Sequence, residues 1–165
     1  MSLCYPIGES GEVIHFSGLV LAHFARHRQS RIWHKEAGGQ LFASINGTKI
    51  VICHATGPKS TDRRGRVFFE PDRASDQSEI ENMFSRGLHY VGDWHTHPER
   101  FPKPSWQDLT TMESRVKLSR HYFAAFIFVI VGNHPPPEGL AVIIHDGTNG
   151  YVLDIGESEL PVSSF

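Results

Sequence analysis

Cysteine is scarce: the 165-residue chain has two, Cys4 and Cys53, with no CxxC spacing. A disulfide framework and a thiolate metal cluster are both excluded, and the two thiols suit a reducing compartment. Long apolar runs are also missing. The longest, Phe123 to Val131, falls far short of the roughly 18 to 20 residues needed to cross a bilayer. The opening segment MSLCYPIGESGEV has neither the basic nor the apolar region of a secretory signal, so the expected location is the cytoplasm. Nor does one sign of charge dominate. Sixteen Lys and Arg stand against 18 Asp and Glu, a net charge of -2, which gives no general attraction to nucleic acid or anionic membrane. With no repeat, low-complexity tract or long linker, residues 1-165 read as one domain.

What is present is a composition, 39% hydrophobic and 11% aromatic, able to bury a core. Glu12 to Phe16 reads as a strand, after which Ser17 can cap a helix running to about Gln29. Gln40 to Ile45, the pair Asn46-Gly47, and Lys49 to Ala55 make a hairpin, because Asn-Gly tolerates the positive φ of a tight turn. Thr56 to Arg66 reads as a polar loop and Val67 to Glu70 as a short strand. Pro71 and Asp72 open a helix toward Arg86 that Gly87 ends. Tyr90 to His95 is a strand, Glu99 to Pro104 a proline-stiffened loop, and Ser105 to about Arg120 a third helix. Phe123 to Val131, Leu140 to His145 and Tyr151 to Ile155 follow as strands, the first apolar enough to lie centrally in a sheet covered on both faces. The expected class is α/β, a central mixed sheet flanked by helices.

The segment that carries chemistry is His95-Thr96-His97-Pro98, followed by Ser105 and Asp108. Residues two apart on a strand project to one face, so His95 and His97 present their imidazoles side by side. Asp108 falls in the first turn of the following helix, where its carboxylate can swing back toward the strand end. Two His, one Asp and one open position make a tetrahedral zinc site of the catalytic kind, with water as the fourth ligand. Attack on an amide also needs a carboxylate that is not a ligand, to carry the proton. Glu36, just before Gly38-Gly39 at a strand entrance, is a candidate, since glycines allow close backbone approach there.

The string Glu36-Ala-Gly-Gly-Gln-Leu-Phe, then His95-Thr-His97-Pro98, six residues, Ser105, two residues and Asp108, resembles the JAMM (JAB1/MPN/Mov34) metalloprotease signature at every defined position. The resemblance spans about Val13 to Ile144. It implies a zinc-dependent isopeptidase or peptidase with a single MPN/JAB1 domain of the cytidine-deaminase-like type. It further implies one zinc held by His95, His97 and Asp108, Glu36 as general base and then acid, and Ser105 as a donor to the oxyanion. The chain shows no equivalents of the insertions with which eukaryotic deubiquitinases hold ubiquitin. It looks most like the small stand-alone bacterial members found in integrative elements and beside cyclic-oligonucleotide antiphage operons. The substrate that likeness implies is a protein with a flexible C-terminal tail, either a ubiquitin-like protein or a conjugated nucleotidyltransferase, with neither nucleic acid nor membrane as partner.

Two other functions fit part of the pattern. Non-haem Fe(II) oxygenases also use two His and one carboxylate, but usually place the carboxylate within the His-x-Asp/Glu pair on an all-β scaffold. A non-catalytic MPN-type scaffold would need no ligand set, and the full complement of Glu36, His95, His97, Ser105 and Asp108 argues against it. His23 and His27 lack the Glu of a zincin and read as a helix face. Arg63-Arg64-Gly65-Arg66 reads as a solvated mobile loop, with substrate docking as its one functional option. Trp94 and Trp106 are expected to pack the pocket around the ligands, and Cys53 to lie in the core.

Overall fold

The computed structural model describes residues 3–121 and 123–156; Ser158 to Phe165 lie outside the described residues. In chain order the elements are β1 (Leu3–Pro6), β2 (Val13–Phe16), α1 (Gly18–Arg26), β3 (Gly38–Asn46), β4 (Lys49–Ala55), β5 (Arg63–Arg64), β6 (Phe69–Glu70), α2 (Arg73–Ser85), β7 (His89–Thr96), α3 (Trp106–Leu118), β8 (Phe126–Val131), β9 (Leu140–His145) and β10 (Gly150–Val152). Eight strands form one mixed sheet in the order β1-β2-β4-β3-β7-β8-β9-β10, and β5-β6 form a separate hairpin. The pairs β2-β4 and β7-β8 are parallel. No helix among the described residues is long and apolar enough to cross a membrane.

The sheet curls. Beyond β10, the Gly156 N–H donates to the Cys4 carbonyl of β1 at 2.8 Å, drawing the two ends of the sheet together. Side-chain alternation then sorts two cores. Ile127, Val129 and Val131 of β8 face one side with Val20 and Phe24 of α1. Phe126, Phe128 and Ile130 face the other with Met112 and Val116 of α3. Each such apolar side chain stabilises the fold by about 1.5–3 kcal/mol relative to exposure. The strand is buried on both faces, as its unbroken apolar sequence requires.

Gly92 allows β7 and β8 to pair this closely. It sits at φ +150°, and a Cβ there would lie 1.7 Å from the Ile127 carbonyl oxygen. Its neighbour Val91 is an extra residue against β3, because Gly92 opposes Leu41 while Tyr90 opposes Phe42. The register shift lets Tyr90 and Asp93, three apart, meet on the same face at 3.0 Å.

Several boundaries depart from the sequence reading. Helix α1 stops at Arg26 rather than Gln29, because Gln29 is buried in a network with β7 that helical geometry would not reach. Asp72 caps α2 from outside, so the helix begins at Arg73. Strand β8 starts at Phe126 and β10 ends at Val152. Strand β1, unread in the sequence, exists through its pairing with β2. Cys53 is half-buried rather than in the core.

Candidate functional site

The β7 pleat turns Asp93, His95 and, one pairing beyond the strand, His97 toward α3. The His97 N–H donates to the Val131 carbonyl at 2.9 Å, so the second His is still held by the sheet; Pro98 then ends the run. At the start of α3 a reciprocal cap fixes the third residue. The Asp108 N–H donates to Ser105 Oγ at 3.1 Å, and the Ser105 N–H donates to Asp108 Oδ2 at 2.7 Å. The carboxylate is thereby aimed at the strand end. Asp108 Oδ1 lies 3.0 Å from His95 Nε2, Oδ2 lies 3.3 Å from His97 Nε2, and the two Nε2 atoms are 3.2 Å apart.

Those separations test whether a zinc ion fits. Three donors each 2.0–2.1 Å from a common tetrahedral centre lie about 3.3 Å from one another; here the two Nε2 atoms are 3.2 Å apart, each has one Asp108 oxygen at 3.0–3.3 Å, and one donor from each residue lies within 4.8 Å of the other two. Their chemistry, two imidazoles and one carboxylate, suits the same ion. The three side chains are 14–19% exposed, so the cluster opens to solvent. Glu99 Oε2 lies 3.7 Å from His97 Nδ1, where it favours the tautomer that leaves Nε2 as the ligand atom.

In the metal-free protein these groups bias one another. Burial opposes ionisation of Asp108, but hydrogen bonds from His95 and His97 outweigh it and hold the carboxyl well below the usual range. Burial also works against the His97 imidazolium, yet the Asp108 carboxylate, with Glu36 and Glu99, raises its pKa above 6.5. Burial raises Glu36, against the opposing pull of His95 and His97, as suits a proton carrier. An NMR titration of the metal-free protein is therefore expected to show the His97 ring with a midpoint above 6.5, returning toward it in Asp108→Asn. Ligand imidazoles bind metal only when neutral, so zinc affinity should fall as pH drops through that midpoint. An unchanged midpoint in Asp108→Asn would remove the coupling.

Glu36 reaches the site by non-local bonds. Strand β3 pairs with β7 so that Gly38 opposes His95, and the preceding residues continue alongside. The Ala37 N–H donates to Thr96 Oγ1 at 2.9 Å, and the Thr96 N–H donates to the Ala37 carbonyl at 2.8 Å. The Glu36 N–H donates to the Gly65 carbonyl at 2.7 Å, while Arg64 Nε donates to the Glu36 carbonyl at 2.7 Å. Arg64 therefore does not sit in a solvated loop; β5-β6 clamps the Glu36 backbone. Behind it, Thr96 Oγ1 donates to Gln29 Oε1 at 2.9 Å and Gln29 Nε2 donates to the Arg66 carbonyl at 2.9 Å, both side chains being buried. Gln29, Thr96 and Arg64 are positioning residues that the sequence reading missed. The one available signal was Thr96, a polar residue on the inward face between His95 and His97. The glycine pair acts as expected, since a Cβ on Gly39 would lie 1.8 Å from the Thr56 carbonyl oxygen.

Glu36, His95, His97, Ser105 and Asp108 all line one open cavity of about 620 Å³. Of the two tryptophans expected around the ligands, Trp94 borders the cavity but turns its ring away, and Trp106 does not line it. The Trp94 side chain points to the opposite face of β7, 1% exposed under α1, with ring centroids 5.3 and 5.8 Å from His23 and His27. Burial holds His27 down to about 4, so these rings are neutral packing groups. Trp106 is 81% exposed at the start of α3.

The sequence profile of the prokaryotic homologs of the JAB domain matches residues 19–144. The chain belongs to this family. The prokaryotic JAB assignment accounts for the mixed sheet, the His95–His97–Asp108 cluster that could hold a metal ion and the nearby carboxylate together, and the chain is a metallopeptidase of the JAMM type. It is similar to a protein named CD-NTase/cGAS isopeptidase from Pseudomonas aeruginosa, 36% identical over 125 residues, covering 74% of this chain and 78% of that one. A protein of the same name from Escherichia coli is 33% identical over 93 residues, 54% of this chain and 60% of that one. Among solved structures, a protein from Desulfitobacterium hafniense superposes with TM-score 0.60 at 16% identity over 83% of this chain and 87% of that one, a likeness of fold.

Proposed function

We propose that the protein is a zinc-dependent isopeptidase that removes the C-terminal tail of a conjugated CD-NTase-type nucleotidyltransferase from the amine to which it is joined, in the cytoplasm and as part of bacterial antiphage defence. The observation that carries this reading is the cluster of His95, His97 and Asp108, whose Nε2 atoms and carboxylate oxygens approach at 3.0–3.3 Å, with Glu36 lining the same cavity and, among the described residues, no hydrogen bond or ion pair from its carboxylate. The names of the relatives supply the substrate class.

Zinc held by His95, His97 and Asp108 would supply Lewis acidity toward a water and the scissile carbonyl. Glu36 takes a proton from the attacking water as its oxygen bonds to the carbonyl carbon. It then delivers that proton to the amide nitrogen as the C–N bond breaks, leaving a free carboxyl-terminal tail and a free amine. The Ser105 hydroxyl, whose oxygen already accepts from the Asp108 N–H, keeps its own proton for the carbonyl oxygen as that atom gains negative charge. Ser105→Ala is expected to lower kcat about 10²–10³-fold. The same change removes a helix cap and about 1 kcal/mol of stability; Ser105→Gly, which nearly preserves the cap, should restore the stability but not kcat. Thermal melting and single-turnover kinetics separate the two losses.

A docking face adjoins the cavity. Arg73, Asp76, Thr111 and Arg115 line both it and a larger, mostly apolar cleft of about 1030 Å³ between α2 and α3, beside which Phe84 and Leu118 are 67% and 85% exposed. The folded body of the tail-bearing protein would seat in this cleft, and its tail would run past β5-β6 to Glu36 by main-chain pairing. The test is a reporter fused through its amine to the tail of a nucleotidyltransferase encoded beside this protein, analysed by intact mass. Cleavage directly after the tail's last residue by the zinc-loaded enzyme is expected. Intact fusions across several such tails would overturn the substrate assignment.

A further inference from the structure

The loops that bring Glu36 and Ser105 to the site carry an unusual surface. One runs from residue 27 to 37, the other from 97 to 105, and Asn133 ties them together: its Nδ2 donates to the Gln29 and Pro98 carbonyls, each at 2.8 Å. The 97–105 loop is braced on 132–134 by two further bonds, Asn133 N–H to the Glu99 carbonyl and His134 N–H to the Arg100 carbonyl. The 27–37 loop is closed by the His34 N–H on the Arg31 carbonyl at 3.0 Å. Both loops are thus held structures.

Four basic and two aromatic side chains are exposed on them, alongside Ile32 and the acid Glu99, which faces His97. Arg31, Lys35, Arg100 and Lys103 are all exposed, and among the described residues none of the four forms an ion pair. Before Glu36, the 27–37 loop has no acidic residue. Between the cations stand Trp33, Phe101 and Trp106, at 67%, 53% and 81% exposure. The Arg31 guanidinium lies 5.4 Å from the Trp33 ring centroid and that of Arg100 lies 5.5 Å from Phe101, so each cation is held over an aromatic face. Large exposed aromatics beside Arg are the residue types that anchor protein interfaces. A cationic rim on a chain of net charge -2 is a local device.

The position of this rim decides what it can meet. The catalytic cavity is bounded on one side by β6 and α2, with Glu70, Pro71 and Arg73, and on the other by Pro98, Glu99 and Ser105. The tail-bearing protein is assigned to the α2 side, so the rim lies on the side from which the amine leaves. We propose that the Arg31/Lys35/Arg100/Lys103 rim, with Trp33, Phe101 and Trp106, docks an acidic segment carrying apolar or aromatic residues around the acceptor amine of the released polypeptide. The inference rests on the isopeptidase reading for its orientation, whereas the binding itself follows from charge and aromatic complementarity. Electrostatic matching of this kind chiefly sets selectivity and association rate.

The test uses full-length Glu36→Gln protein, so that binding is measured without turnover. The probes are three fluorescein-labelled 15-residue peptides with one central lysine: one rich in Asp, Glu and Phe, one with every acid replaced by Lys, and one of Ser and Gly. Fluorescence anisotropy is expected to show at least tenfold tighter binding of the acidic peptide. That preference should fall at least tenfold with Arg31→Glu/Lys35→Glu and with Trp33→Ser, and should weaken between about 50 and 300 mM salt as screening shortens the reach of the charges. Circular dichroism and zinc content identify any variant that fails to fold; the milder Lys103→Gln/Arg100→Gln pair then replaces it. Equal binding of the three peptides, or undiminished binding in folded charge-reversed variants, would overturn the proposal. So would a single-stranded oligonucleotide that outcompetes the acidic peptide, which would assign the rim to nucleic acid. Acidic-peptide binding by a protein that cleaves no conjugate would retain the surface and reject the isopeptidase reading; cleavage indifferent to acidic residues beside the acceptor lysine would do the reverse.

Discussion

Glu36→Gln is expected to lower turnover by about 10²–10⁴-fold, the usual contribution of a positioned acid-base group, while bound zinc stays at one per chain. The two readouts separate because the Glu36 carboxylate lies outside the His95–His97–Asp108 triangle. Its backbone, not its side chain, carries the bonds to Gly65 and Arg64, so the substitution keeps those contacts and the shape of the cavity. Elemental analysis and single-turnover kinetics on one preparation check this. Zinc lost along with activity would make Glu36 a ligand, and turnover unchanged would remove it from the chemistry.

His95→Ala is expected to produce the opposite pairing, an empty site with the fold intact. Removing one of three protein donors leaves His97 and Asp108 with two, too few to retain zinc against dialysis. Asp108→Asn refines the point, because an amide oxygen can still accept from the Ser105 N–H and preserve the α3 cap while a neutral ligand replaces a charged one. Zinc affinity should therefore fall in both variants, with thermal stability of the metal-free protein near the parent value in Asp108→Asn. Stoichiometric zinc persisting in the His95→Ala/His97→Ala double variant would refute the ligand assignment.

The site was legible from sequence where its geometry is local. His95 and His97 share a face by strand pleat, and Ser105 and Asp108 share a helical turn by their three-residue spacing, so both halves can be read without the fold. The Asn46-Gly47 turn was legible for the same reason: Gly47 adopts φ +59° in a tight connection. What escaped was decided by partners far along the chain. Among the described residues, strand β1 is made a strand by its pairing with β2 and by the returning C-terminal segment. Gln29 looks like the last turn of an amphipathic helix until Thr96, far along the chain, claims its side chain. Arg64 looks like one charge in a solvated run until the Glu36 carbonyl accepts its Nε–H. The Trp94 ring was misplaced because adjacency to His95 on a strand turns its side chain to the opposite face. Trp94 follows that rule into the α1 core, and Trp106 stays outside.

The most direct measurement is metal-dependent cleavage of an isopeptide conjugate between a neighbouring nucleotidyltransferase tail and a lysine side chain, followed by intact mass spectrometry. The zinc-loaded protein should release the tail with a free carboxyl terminus, lose that activity when stripped by a chelator, and regain it on addition of one equivalent of zinc. Release that continues unabated in the stripped protein, or no release by the zinc-loaded protein, would contradict a zinc-dependent isopeptidase.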